Sequence, residues 1–271
     1  MDNWRSGGTR AEGEVGLSTL YLLGTDFRRV PWTITKKRIL HWEIFDDGPH
    51  SLNRARVREL ARAGRKQGVT YLVHGPICDL NPATLNPELR SIVMKRLATS
   101  LENAASLDAE TWVLHPGTHG ALSWVLPGID RQVNLRSLQQ LARLGRKLKV
   151  KVAIENISSG LAILGRVGDF RELYGDWTGV PDMALDLGHS HIKGETEAYL
   201  NRLGSHIVHV HAQDNKGDFD KHLAVGKGTV PWARVLRSLN KIGFKGRIIV
   251  ESTSGPYSSL SKIQKLWRSL Q

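Results

Sequence analysis

The sequence predicts a single α/β domain closed as a (β/α)8 TIM barrel. Three observations carry that prediction. Short β-branched runs alternate with amphipathic stretches along the chain, the pattern of parallel strands joined by crossover helices. The runs number eight, and eight strand–helix units within 271 residues fit a closed barrel rather than an open sheet. No Gly-x-Gly-x-x-Gly follows the first run, so the dinucleotide fingerprint of a doubly wound sheet is missing.

Taken in order, Met1–Glu14 is polar, Gly-containing and mixed in charge, and reads as a short disordered leader. Residues 15–271 then form the barrel. The expected strands are Val15–Leu22, Ile39–Phe45, Val69–His74, Thr111–His115, Lys151–Glu155, Asp182–Asp186, Ile207–His211 and Arg247–Glu251. Helical periodicity fills Leu52–Gln67, Glu88–Leu107, Asn134–Leu148, Val167–Tyr174, Glu195–Leu203, Pro231–Ile242 and Ser258–Leu270. Asn134 suits a helix start and Pro231 a first turn, where its missing N–H costs nothing. The first crossover, Asp26–Lys37, is a weak helix because Pro31 and two threonines interrupt it.

Composition narrows the class further. No apolar run approaches the roughly 20 residues that span a bilayer. The leader also lacks the apolar centre of a signal peptide. A single cysteine, Cys78, excludes an intrachain disulfide and points to a reducing cytoplasm; no role is assigned to its thiol. The net charge of +12 would attract a phosphorylated substrate or a nucleic-acid backbone. Yet the basic residues are dispersed, as in Arg54-Ala-Arg56-Val-Arg58 and Arg146-Lys-Leu-Lys-Val-Lys151, and read as the solvated faces of separate helices. The tryptophans are scattered too, and most read as packing rather than base-stacking platforms.

The chemistry sits at the strand ends. His74, His115, Glu155, Asp186, His211 and Glu251 each close a run, with His189 three residues after Asp186, and Asp220 and His222 in the loop after the seventh strand. The C-terminal mouth is where barrels of this class place catalytic groups. So many carboxylates and imidazoles crowd one cleft comfortably only around cations, because like charges repel and desolvation is costly. The expected cofactor is therefore one to three divalent ions. Mixed imidazole and carboxylate ligands suit Zn or Mn better than Ca. His209 shares a strand face with His211 one pleat deeper and ranks second there. His41, His50, His119, His191 and His206 fall outside the pattern and read as structural.

The motifs His115-Pro-Gly, Glu155-Asn, Asp186-x-x-His189, His211-x-x-Asp-Asn, Asp220-x-His222 with Gly226-x-Gly228, and Val250-Glu251 resemble the xylose isomerase-like barrel superfamily over about residues 15–255. That superfamily holds sugar-phosphate isomerases and epimerases and also endonuclease IV, the apurinic-site repair enzyme. Resemblance to the first branch implies a mononuclear site on Glu155, Asp186, His211 and Glu251, with Glu155 and Glu251 as the catalytic proton-transfer pair and a sugar or sugar phosphate as substrate. Resemblance to the second implies three Zn ions: one on His74, His115 and Glu155, one on Glu155, Asp186, His211 and Glu251, one on His189, Asp220 and His222, with abasic-site DNA as substrate. The nine filled positions favour the nuclease. Against it stand the first strand, Gly16-Leu-Ser-Thr-Leu-Tyr, the absence of an aromatic wedge in Gly75-Pro-Ile-Cys78, and the short loop from His211 to Asp220. Trp42-Glu-Ile-Phe-Asp-Asp-Gly looks like the isomerase branch, where Glu43 touches substrate or serves only as a surface or supporting carboxylate. No Gly-rich phosphate cradle stands out. The isomerase or epimerase reading leads, with the AP endonuclease or phosphodiesterase as its alternative.

Overall fold

The computed structural model of the chain describes residues 15–270; the leader expected at Met1–Glu14 lies outside the described residues. Eight parallel strands pair in chain order and close, the last against the first. They are Val15–Ser18 (β1), His41–Phe45 (β2), Thr70–His74 (β3), Thr111–Leu114 (β4), Lys151–Glu155 (β5), Asp182–Asp186 (β6), Ile207–Ala212 (β7) and Arg247–Val250 (β8). Around them run Arg29–Lys36 (α1), Arg54–Arg65 (α2), Pro87–Ser106 (α3), Ile129–Leu148 (α4), Val167–Asp176 (α5), Leu187–Ile192 (α6), Thr196–Leu203 (α7), Trp232–Lys241 (α8) and Pro256–Arg268 (α9). Among the described residues, no helix is long and apolar enough to cross a membrane.

Where the elements depart from expectation, local polar chemistry gives the reason. β1 is half its expected length, because the Ser18 hydroxyl accepts from Leu20 N–H and turns Thr19–Leu22 into a 3-10 turn. Thr19 Oγ1 then takes the N–H of Phe45 and ties the turn to β2. The first crossover does form a helix: Pro31 lies in its first turn, where no intrahelical N–H bond is lost, and Val30 and Ile34 are fully buried. α4 begins at Ile129, ahead of the expected Asn134, whose side chain accepts from Gly117 N–H in the preceding loop instead of capping a helix. α6 is an additional short helix, capped by Asp186 through His189 N–H.

The main apolar core lies between barrel and helices, joining strand residues such as Trp42, Ile44 and Trp112 to helix residues such as Leu60, Leu101, Leu138, Phe170 and Ile263. Trp112, Trp232 and Trp267 are buried, which bears out their reading as packing. Inside the barrel Val113, Ala153 and Ala184 form a separate small cluster. Side chains alternate faces along a strand, so Ala153 and Ala184 share the inward face with Glu155 and Asp186. Small residues below and ionisable residues above set a floor under a polar mouth.

Candidate metal centre

All nine side chains named from the sequence meet in one connected network at that mouth. Glu155, at the end of β5, is its hub. Its Oε2 lies 3.3 Å from His74 Nε2 and 3.2 Å from His115 Nε2. Its Oε1 lies 3.3 Å from His211 Nδ1 and 3.4 Å from His189 Nδ1. Glu251, just past β8, reaches His211 Nδ1 at 3.6 Å, and Asp186 lies 3.7 Å from His189 Nδ1. Beyond them Asp220 Oδ2 stands 3.0 Å from His189 Nε2 and 3.4 Å from His222 Nε2. Glu155, Asp186, His211, Glu251, His74 and His189 are buried, whereas His115, Asp220 and His222 keep partial exposure.

Imidazole orientation follows from what holds each outer nitrogen. His74 Nδ1 donates to the Gly75 carbonyl at 2.8 Å, His189 Nδ1 to the Asn156 carbonyl at 2.9 Å and His222 Nδ1 to the Glu251 carbonyl at 2.9 Å. With Nδ1 protonated, a neutral ring offers its Nε2 lone pair, and these three Nε2 atoms face carboxylates. His211 is reversed. Its Nε2 donates to Glu43 Oε1 at 3.0 Å and its Nδ1 looks into the mouth.

The charges are strongly interdependent. Burial drives Glu155 up, but His211 and His115 outweigh it and hold the carboxyl well below its usual range. Glu251 goes the other way, pushed up to about 7 by burial against the opposing pull of His211. Asp186 is likewise raised by burial, with the charges of Glu155 and Asp220 adding to it. Burial opposes protonation of His211 and His189, yet the surrounding carboxylates raise both well above the usual imidazole range.

The donor set fits a divalent cation. Asp186 Oδ2, His211 Nδ1 and Glu251 Oε1 are buried and have no hydrogen-bond partner. Leaving three buried polar atoms unpaired costs about 1–3 kcal/mol each, and more for charged groups. Asp186, His211 and Glu251 also bring ligand atoms within 4.8 Å of one another, as do the trios His74, Glu155, His211 and Glu155, Asp186, His189.

Of the support beneath this layer, the sequence singled out Glu43, as a substrate contact, a surface carboxylate or a supporting one, and ranked His209 second to His211, but it named neither Asn156 nor Gln213 in that role. Glu43, midway along β2, is fully buried and contacts both His211 and His209. Asn156 holds Asp186 from two sides, donating to its carbonyl at 3.1 Å and accepting from its N–H at 2.8 Å. Gln213 donates to Asp220 Oδ1 at 2.6 Å. Parity was the available signal for Glu43: it alternates with Trp42 and Ile44, both in the outer core, and therefore faces the barrel axis. The remaining histidines have structural partners where contacts are seen. His50 meets the Thr25 carbonyl at 2.8 Å, His119 pairs with Asp130 at 2.8 Å, His191 meets Thr229 Oγ1 at 2.9 Å, and His206 stacks on Tyr174.

A family profile described as xylose isomerase-like TIM barrel matches residues 40–269. An uncharacterised protein of Methanocaldococcus jannaschii is 29% identical over 244 residues, spanning 88% of this chain and 83% of its own length. Among solved structures, one described as a D-tagatose 3-epimerase-like protein superposes with a TM-score of 0.87 at 26% identity, covering 95% of this chain and 98% of that one. A D-psicose 3-epimerase from Clostridium cellulolyticum H10 shares the fold at 16% identity, with a TM-score of 0.75 and the same coverage of each chain.

Proposed function

Because the chain belongs to the xylose isomerase-like TIM-barrel family, we propose that it is a divalent-metal-dependent isomerase or epimerase acting on a small sugar or sugar phosphate. The observation that carries this reading is the convergence of Asp186, His211 and Glu251, each with an unpartnered buried ligand atom, beside Glu155 in the mouth. The similarity to a D-tagatose 3-epimerase-like protein supports the reaction class.

These four residues would hold the ion, Zn or Mn, which when bound supplies Lewis-acid polarisation of a substrate carbonyl and its neighbouring hydroxyl. Glu155 and Glu251 are carried by β5 and by the end of β8, and approach His211 from separate strands. In this reading one of them removes the proton next to the carbonyl and the other returns it, which inverts or relocates the stereocentre. His74, stacked on Phe45 with ring centroids 4.6 Å apart, walls the site on the β2–β3 side. Burial of both glutamates keeps bulk water from competing for the abstracted proton.

A second reading has its own observation. Glu155 divides its oxygens, Oε2 toward His74 and His115 and Oε1 toward His211, while Asp220 joins His189 to His222. This division of ligands supports the reading as a three-ion phosphodiesterase acting on abasic-site DNA, which the resemblance to endonuclease IV implies.

The test uses metal-replete protein in deuterated buffer with a panel of ketoses and ketose phosphates, and NMR detection of exchange at the carbon beside the carbonyl. Exchange with at least one substrate is expected. Nicking of an abasic-site duplex without sugar exchange would replace the first reading by the second.

A further inference from the structure

We propose that Glu43 is a positioning residue for the metal centre, holding His211 so that its Nδ1, rather than its Nε2, is the ligand atom. The inference rests on the metal-centre reading above and goes beyond it by assigning a role to a side chain outside the ligand set.

Glu43 stands at the midpoint of β2, fully buried. Its two oxygens engage two imidazoles: Oε1 accepts from His211 Nε2 at 3.0 Å, and Oε2 lies 3.0 Å from His209 Nε2. An ionised carboxylate only accepts, so the His211 nitrogen facing it carries the hydrogen. In a neutral ring the opposite nitrogen then offers its lone pair to the mouth, where Glu155 and Glu251 face it. A carboxylate behind a ligating imidazole fixes both tautomer and ring direction.

His209 completes the support. It lies on the same strand face as His211, edge-on to it, with ring centroids 4.7 Å apart. Its neighbour across the β6–β7 pairing is Ala184, small enough to leave space for a ring inside the barrel. A lone buried carboxylate is costly, and two imidazoles, one on each oxygen, offset that cost. The contrast with the other rings sharpens the case. His74, His189 and His222 are held by backbone carbonyls, which no substitution removes. His211 is held by a side chain.

The experiment compares Zn2+ affinity of wild type and Glu43→Gln by competition with a chromogenic chelator, together with the visible spectrum of the Co2+-loaded forms. Expected is about a 10–100-fold loss of affinity at unchanged stoichiometry, the range seen when such supporting groups are removed, with an altered Co2+ spectrum and a folded apo-protein. Wild-type affinity in the variant overturns the inference. So does loss of one whole equivalent with the remaining affinity intact, since Glu43, His209 and His211 would then themselves hold an ion. If Glu43→Gln does not fold, long-range 1H–15N spectra of the Zn2+-loaded wild type carry the test: one imidazole ligated through Nδ1 with a protonated Nε2 is expected, and its absence overturns the assignment. Wild type that takes up no Zn2+, Mn2+ or Co2+ removes the metal reading itself, whereas uptake undiminished by the substitution removes this inference alone.

Discussion

The mouth has two halves built in different ways. On the strand side, Glu155, Asp186, His211 and Glu251 leave the ends of four adjacent strands, are almost wholly buried, and stand on Glu43, His209 and a floor of alanines. On the loop side, Asp220 and His222 hang from the connection between β7 and α8, with side chains 34% and 19% exposed. That connection needs a scaffold of its own. Asp214, fully buried, accepts from Gly226 N–H at 2.7 Å, Trp232 Nε1 at 2.9 Å, Asn215 N–H at 3.0 Å and Val230 N–H at 3.2 Å. His222 moreover adopts a positive φ of 45°, a conformation side chains rarely take, in order to reach the Glu251 carbonyl. Strand pairing fixes the first half, while local polar bonds hold the second, which is the more exposed of the two.

Both functional readings share Glu155, Asp186, His211 and Glu251 and differ in the outer residues, His74, His115 and His189 as well as Asp220 and His222 of the loop, so substitutions at the shared and outer positions separate them. Glu155→Gln should have the largest effect, a loss of about 10^3-fold or more in turnover, since it removes the network's hub and a proton-transfer group together. Near-normal turnover of the metal-replete variant in the exchange assay would remove the strand-side site. The pair Asp220→Asn with His222→Ala comes next. An isomerase should keep its rate within about 10-fold, whereas a phosphodiesterase, whose metals stabilise attacking and leaving oxygens, should lose most of its rate. A smaller effect is expected at Gly188, where an added Cβ would overlap the Gln213 amide that braces Asp220. Gly188→Ala should cost about 1–3 kcal/mol of stability by overpacking and perturb the loop side while sparing the Glu155–His211 contact. Thermal unfolding and metal stoichiometry check it.

Most of this architecture could be read in advance because both periodicities are local. Strands ending in ionisable residues, with helical patterns between them, are visible within windows of about 11–18 residues, and all nine strand-end and loop residues do gather at one mouth. What escaped depended on partners distant in sequence. Glu43 and His211 are 168 residues apart, and no window containing Trp42 and Ile44 shows which imidazoles the closed barrel brings to that face. The shortening of β1 escaped for the opposite reason: one hydroxyl, that of Ser18, supplies Leu20 N–H with a partner outside the sheet. α4 was misplaced at its start because Asn134, a good capping residue, spends its side chain on Gly117.

The least drastic test of the comparison is pH. In the metal-free protein burial opposes the charge on His222, but its contact with Asp220 and the field of Glu251 prevail and raise it to about 9. The folded state therefore holds this proton more tightly than the unfolded chain. The stability this confers is fully present below about pH 6.5, the unfolded imidazole value, and is lost as pH rises through about 9. His189 and His211, also raised, act in the same direction, whereas Glu155 and Asp220, both lowered, lose their contribution only as pH falls. Chelated protein should accordingly melt lower at pH 9 than at pH 7, by about 2–4 °C for each kcal/mol lost. A metal bound at the mouth would reverse the dependence, because it needs unprotonated imidazole and so binds more tightly as pH rises. The gap in melting temperature between Zn2+-loaded and chelated protein should widen over the same interval; His222→Gln should narrow it under the three-ion reading and leave it unchanged if the ion sits on Glu155, Asp186, His211 and Glu251 alone. A gap that stays constant with pH in the wild type would mean that no imidazole of the mouth yields its proton to a metal, whereas a gap that widens equally in His222→Gln would confine the ion to the strand side.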